Sequence, residues 1–172
     1  MKNNLKRIVL RASALSAIAA GGLGIVGTPL ALAHDVPCPL CGLKVVQGTK
    51  TQDNEVVLRY GKKKIEYRCI YCVFADAKKY DGDLTVYAPS ETKDKPVLLR
   101  REAGKWRAVK DVDGKLVPED GVVFLNAFVS HKDCAALSRA FHTKAGFDAY
   151  KAKAKDAQPL TLEAMLDKVA AK

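Results

Sequence analysis

Two Cys-x-x-Cys pairs, Cys38-Pro39-Leu40-Cys41 and Cys69-Ile70-Tyr71-Cys72, constrain this chain more than any other feature, because 27 residues separate them. That interval carries Glu55 to Tyr60 ("EVVLRY"), rich in β-branched residues, then Gly61-Lys62, then Lys64 to Arg68 ("KIEYR") with apolar and polar residues alternating. Such a pattern predicts a β-hairpin, and a hairpin returns the chain to where it began. Four thiols from distant positions can therefore converge. The chain has five cysteines, an odd number, so simple pairing into disulfides leaves one over.

The rest of the sequence reads as strands and helices in mixed order. "VFADAKKY" after Cys72 has helical spacing and stops at Asp81-Gly82-Asp83, which places the second pair between a strand and a helix. Leu84 to Ala88 is strand-like, Val97 to Glu102 and Lys105 to Val109 flank Ala103-Gly104 as a second hairpin, and Trp106 reads as a packing residue. Asp111 to Asp120 is turn-rich. Val122 to Val129 is the most apolar segment outside the N-terminal region and is expected in the central sheet. Thr143 to Lys155 and Thr161 to Ala171 read as helices with N-cap threonines, separated by the breaker Gln158-Pro159. The expected fold class is α+β: a single domain with antiparallel hairpins and two to three helices, after an N-terminal signal peptide.

The leader is expected over residues 1–33. Lys2, Lys6, Arg7 and Arg11 precede an uncharged run from Ala12 to Leu32 that ends in Ala31-Leu32-Ala33, the order of a secretory signal. The run is rich in Ala, Gly and Ser and broken by Gly27 and Pro29, so no stable membrane anchor is expected after cleavage. The remaining domain, 34–172, would reside in the periplasm or be secreted. The whole chain has 29 basic and 19 acidic residues, net +10; setting aside the four basic residues of the leader leaves a surplus of +6. The charges do not alternate with aromatics, so nucleic acid is not an expected partner. No G-x-S-x-G, phosphate loop or H-E-x-x-H is present, which argues for a carrier rather than an enzyme.

Cys38, Cys41, Cys69 and Cys72, with Cys134, His131 and His34, make metal binding the leading reading. Four sulfurs in a tetrahedron suit zinc or iron as a structural staple. Two or three thiolates with a soft or imidazole partner suit Cu(I) instead. His131 and Cys134 stand at i, i+3 and could share one side of a helical turn capped by Ser130 and Asp133. With cleavage after Ala33, His34 would offer both its amino group and its imidazole. These additional donors fit copper better than a zinc staple. Thiol-disulfide exchange is the alternative, with Cys69 attacking from a helix start and Cys72 resolving. His142 reads as a surface or capping residue.

The chain resembles the NosL family of nitrous oxide reductase accessory proteins, periplasmic copper-binding chaperones with an α+β fold. Cys38-Pro39-Leu40-Cys41-Gly42 is similar to the opening C-x-x-C-G-M of that family. Gly61 to Cys72 resembles its G-x…C segment, and Val122 to Tyr150, with Ala140-Phe141 and the following helix, resembles the closing region that contains a P-M-G element. Leu43 stands where the family has methionine, and Asp133-Cys134 lies near the position of Pro-Met, so by this resemblance thioether ligands are absent or replaced by thiolate. The resemblance implies a copper carrier that passes Cu(I) to a client metalloprotein.

Overall fold

A short ladder opens the fold: β1 (Val36–Pro37) pairs antiparallel with β2 (Lys44–Val45), closing a loop that holds the first cysteine pair. In the computed structural model of the protein the described residues are 36–46, 54–128, 136–151 and 157–171. The leader expected over 1–33, together with His34, His131 and Cys134, lies outside them.

The predicted first hairpin is β3 (Val56–Tyr60) with β4 (Lys63–Tyr67), in the register Tyr60↔Lys63 across Gly61-Lys62. Gly61 sits at φ +56°, the left-handed region that glycine enters without steric cost. Chain direction then switches into α1 (Ile70–Asp76), followed by a 3₁₀ turn over Ala77–Lys79. The helix starts earlier than the spacing of "VFADAKKY" suggests, so Cys69 is its N-cap and Cys72 lies within its first turn.

Strand β5 (Leu84–Ala88) joins β3. Next, β6 (Val97–Glu102) and β7 (Lys105–Val112) form the second predicted hairpin across Ala103-Gly104. The turn-rich stretch after Val109 contains a strand the pattern did not show, β8 (Lys115–Pro118), paired with β7 around Asp113-Gly114. Both turn residues have positive φ, 51° and 79°, the conformation that matches a two-residue hairpin to sheet twist. The result is a six-stranded antiparallel sheet in the order β4-β3-β5-β6-β7-β8.

A second sheet has the order β10-β9-β11. Its middle strand is β9 (Val123–Phe128), so the apolar run expected in the central sheet lies in this smaller sheet and not in the six-stranded one. Strand β10 (Ala136–Phe141) lies on one side. On the other is β11 (Gln158–Leu160), a strand formed by the segment read as a breaker. Proline lacks an N–H to donate, and β11 is an edge strand, where that loss is tolerated. Helices α2 (Lys144–Lys151) and α3 (Leu162–Ala170) follow Thr143 and Thr161, whose hydroxyls accept from Gly146 and Ala164 amides at 3.0 and 3.1 Å, as expected of N-caps. The expected helix 143–155 is described only to Lys151.

One face of the large sheet supplies the core through Val56, Leu58, Leu84, Val86, Val97 and Leu99, all buried. Each such side chain contributes roughly 1.5–3 kcal/mol through removal from water. Helix α1 covers this face. Its Phe74 meets the Trp106 ring edge-on at 4.9 Å between centroids, so Trp106 packs as predicted. Met165 and Val169 of α3 join the same cluster, and α3 touches both β7 and β9. Phe141 and Phe147 build a smaller cluster under the second sheet. Among the described residues, three α-helices on antiparallel sheets make one α+β domain.

Candidate metal centre

The first cysteine pair is shaped by its own backbone. Cys38 N–H donates to the Leu43 carbonyl and Gly42 N–H to the Cys38 carbonyl, both at 2.9 Å. Gly42 adopts φ +69°, which closes the turn and suits glycine. Inside this tight loop the amides of Leu40 and Cys41 aim at the Cys38 sulfur, and the Leu43 amide aims at that of Cys41. Pro39 has no N–H to divert the turn.

The second pair arrives where β4 passes into α1. Cys69 is extended, φ −158° and ψ 165°, and its carbonyl accepts the Val73 amide at 3.3 Å as the helix begins. The amide of Arg68, just before it, is the third backbone donor to Cys38. One helical turn on, Cys72 presents its thiol to the first pair.

The sulfurs of Cys38, Cys41 and Cys72 all lie within 4.8 Å of one another. A metal with sulfur bonds of ~2.3 Å places its ligands ~3.8 Å apart in a tetrahedron, so this spacing needs only small side-chain rotations to close on an ion. Cys69 joins through Cys72, with the two sulfurs 3.4 Å apart. All four thiols are unbridged and buried, from 0% exposure for Cys69 and Cys72 to 2% for Cys38 and 7% for Cys41. Oxygen and imidazole are absent from the cluster among the described residues, and such an all-sulfur set favours soft ions.

Hydrogen bonding and burial push the two thiols of the first pair in opposite directions. The Cys72 thiol donating to Cys38 is the largest influence on that sulfur. Burial opposes ionisation, but the amides of Arg68, Cys41 and Leu40 reinforce it, and the Cys38 pKa falls from 9.0 to about 5. Cys41 moves the other way: burial raises its pKa, the Leu43 amide opposes, and negative charge on Cys38 adds to the rise. Of the first pair, Cys38 is thus the one favoured as thiolate and Cys41 the one favoured as neutral thiol.

A brace outside the cluster fixes its geometry. Tyr67, the last residue of β4, donates its hydroxyl to Asp76 Oδ2 at 2.7 Å, and the two side chains are 0% and 2% exposed. Because Tyr67 and Asp76 bracket the Cys69–Cys72 turn, this bond ties the far end of α1 to the strand that precedes it. Tyr80 adds a hydroxyl contact to Tyr67 at 3.1 Å, and Lys79 pairs with the other Asp76 oxygen. Burial, then the bonds to Tyr80 and Asp76, raise the Tyr67 pKa, which keeps the phenol a donor. Sequence reading missed both members. The available signal was a lone aspartate within the apolar run "CVFAD".

Of the predicted ligands, Cys38, Cys41 and Cys72 come together and Cys69 abuts them. His34, His131 and Cys134 lie outside the described residues. No family model matches the chain, and neither a curated protein nor a solved structure is significantly similar to it.

Proposed function

We propose that this protein is a metal-binding accessory protein that carries Cu(I) on the thiolates of Cys38, Cys41 and Cys72 and passes it to a client metalloprotein. The observation that carries the reading is the gathering of three buried sulfurs from two separate segments within 4.8 Å. Three thiolates fit an ion that tolerates low coordination, and Cu(I) is the soft, common ion of that kind. The resemblance of the cysteine segments to the NosL family supports the same choice of cargo.

Delivery follows by ligand exchange, in which a soft ligand of the client enters the undercoordinated ion before a thiolate of the carrier leaves. Cys41 is the most exposed of the four cysteines and the natural point of entry. Export of the carrier, and a non-enzymatic role, belong to the same proposal.

A second reading has its own support. Cys69 at 3.4 Å from Cys72 could complete a four-sulfur site, the arrangement of structural zinc. Exchange with a protein disulfide has less, because the attacking thiol it assigns, Cys69, is fully buried. Anaerobic titration of the reduced protein with Cu(I) and with Zn(II) separates the first two. The carrier reading expects one Cu(I) bound tightly and zinc displaced by it. Zinc retained against excess Cu(I) would overturn it.

A further inference from the structure

The face of the six-stranded sheet turned away from α1 carries a row of cations in register. Lys64 pairs with Arg59, Arg59 with Thr85, Thr85 with Arg100, and Arg100 with Arg107. Strands lie ~4.8 Å apart, so this row runs about 19 Å across β4, β3, β5, β6 and β7. Like charges placed directly opposite, as Arg100 and Arg107 are, weaken a sheet. Part of the charge is met locally: Lys64 pairs with Glu55 and Glu66, and Glu102 serves both Arg100 and Arg107. Arg59, on β3 beside the edge strand β4, is exposed and forms no ion pair among the described residues.

Beside the cations runs an apolar row, Val57↔Tyr87↔Leu98. Tyr87 is 39% exposed, one of few large apolar side chains left open to solvent. The two rows enclose a shallow hollow of about 540 Å³ lined by Val57, Arg59, Lys64, Thr85 and Tyr87. A second hollow of about 470 Å³ shares Val57 and Tyr87 and adds Lys93, Lys95 and Arg139 against Glu55 and Asp94. A concave, positively charged strip with one exposed aromatic therefore lies on the side opposite the thiols.

We propose that this strip docks an acidic, extended segment of a partner protein through Arg59 and Tyr87. In an extended peptide, alternate side chains point the same way and repeat every ~6.6–6.8 Å, so acidic residues can meet the cations while their neighbours lie against Val57 and Tyr87. Glu66 lies opposite Val57 and Glu102 opposite Lys105, one on each side of the cation row. An acidic peptide can skip those positions, whereas a nucleic acid carries phosphates along its whole length and would meet both. Partner recognition would then use one face of the domain and the cysteine centre another, and it holds whether or not the cysteines bind copper.

Fluorescence anisotropy of the reduced protein with a labelled peptide of alternating glutamate and valine, and with a lysine-for-glutamate control peptide, tests this at about 20 mM and about 300 mM salt. The acidic peptide is expected to bind and the basic one not, with about ten-fold weaker binding at the higher salt. Arg59→Glu should weaken binding about ten-fold and Tyr87→Ser about three-fold, while Lys168→Glu on α3 changes the charge equally and has little effect. Arg59→Gln, which preserves side-chain bulk, guards against a folding defect and should fall between wild type and Arg59→Glu. Equal losses for Arg59→Glu and Lys168→Glu would overturn the proposal. So would no binding of the acidic peptide at low salt, or tighter binding of a single-stranded oligonucleotide of equal charge.

Discussion

Loading the cysteine centre displaces protons, and their number reports which sulfurs bind. In the metal-free protein at pH 7 Cys38 is already ionised, because its pKa is about 5, whereas Cys41 is neutral and Cys72 holds the proton it donates to Cys38. An ion that takes Cys38, Cys41 and Cys72 therefore releases about two protons, one each from Cys41 and Cys72. A four-sulfur site that adds Cys69 releases about three. Calorimetric titration with Cu(I), held soluble by acetonitrile, in two anaerobic buffers of different ionisation heat measures the count directly. Replacing Cys69 by serine sharpens the result: the count stays at about two for three ligands and falls from about three to about two for four. Repeating the titration near pH 5 should add a fraction of a proton, since Cys38 is then partly protonated. Three protons from the wild type and two from Cys69→Ser would refute the three-thiolate site. Three from both would refute the ionised state assigned to Cys38.

Three further outcomes follow from contacts away from the sulfurs. Tyr67→Phe leaves the buried Asp76 Oδ2 without its donor and should cost about 2 kcal/mol in urea unfolding of the reduced protein; a loss under about 0.5 kcal/mol would mean the brace carries no stability. His142 stands between two acceptors, Glu119 Oε1 at 2.8 Å from Nδ1 and the Lys95 carbonyl at 3.0 Å from Nε2. Burial disfavours its charge, but the Lys95 carbonyl, Glu119 and Glu91 outweigh this and raise the pKa above 6.5. A raised folded pKa gives stability that is fully present below the unfolded value of 6.5 and lost as pH rises through the folded value. Wild type should therefore lose more stability than His142→Asn between about pH 6 and pH 8, and parallel pH profiles would remove the basis for the effect. Ala103 occupies φ 46°, where a Cβ is strained, in the hairpin between β6 and β7. Ala103→Asn supplies the residue this turn prefers and should raise stability by about 0.5–1 kcal/mol; an unchanged or lower urea midpoint would contradict the strain.

Features written in local pattern were legible without coordinates. The alternation in Glu55 to Arg68 gave the hairpin, and the hairpin is what carries Cys69 and Cys72 back to Cys38 and Cys41. The N-cap threonines gave the starts of both later helices. Strand β8 was hidden because it is an edge strand exposed along most of its length, so no hydrophobic alternation marks it; only Asp113-Gly114 signalled the turn. Strand β11 was hidden by Pro159, whose missing donor is harmless only because β9 pairs it from one side. The Tyr67–Asp76 bond and the His142 bridge join residues whose proximity depends on tertiary packing, which no short window of sequence encodes. The division of the four cysteines into three clustered sulfurs and one adjacent has the same origin.

The ladder that closes the loop around Cys38 and Cys41 is two residue pairs long, Val36↔Val45 and Pro37↔Lys44. Any cargo enclosed by these sulfurs is thus shut in by a latch far smaller than the sheet beside it. For a carrier of the kind proposed, a closure this short would let a client pry the hinge apart and reach the ion without unfolding the sheet.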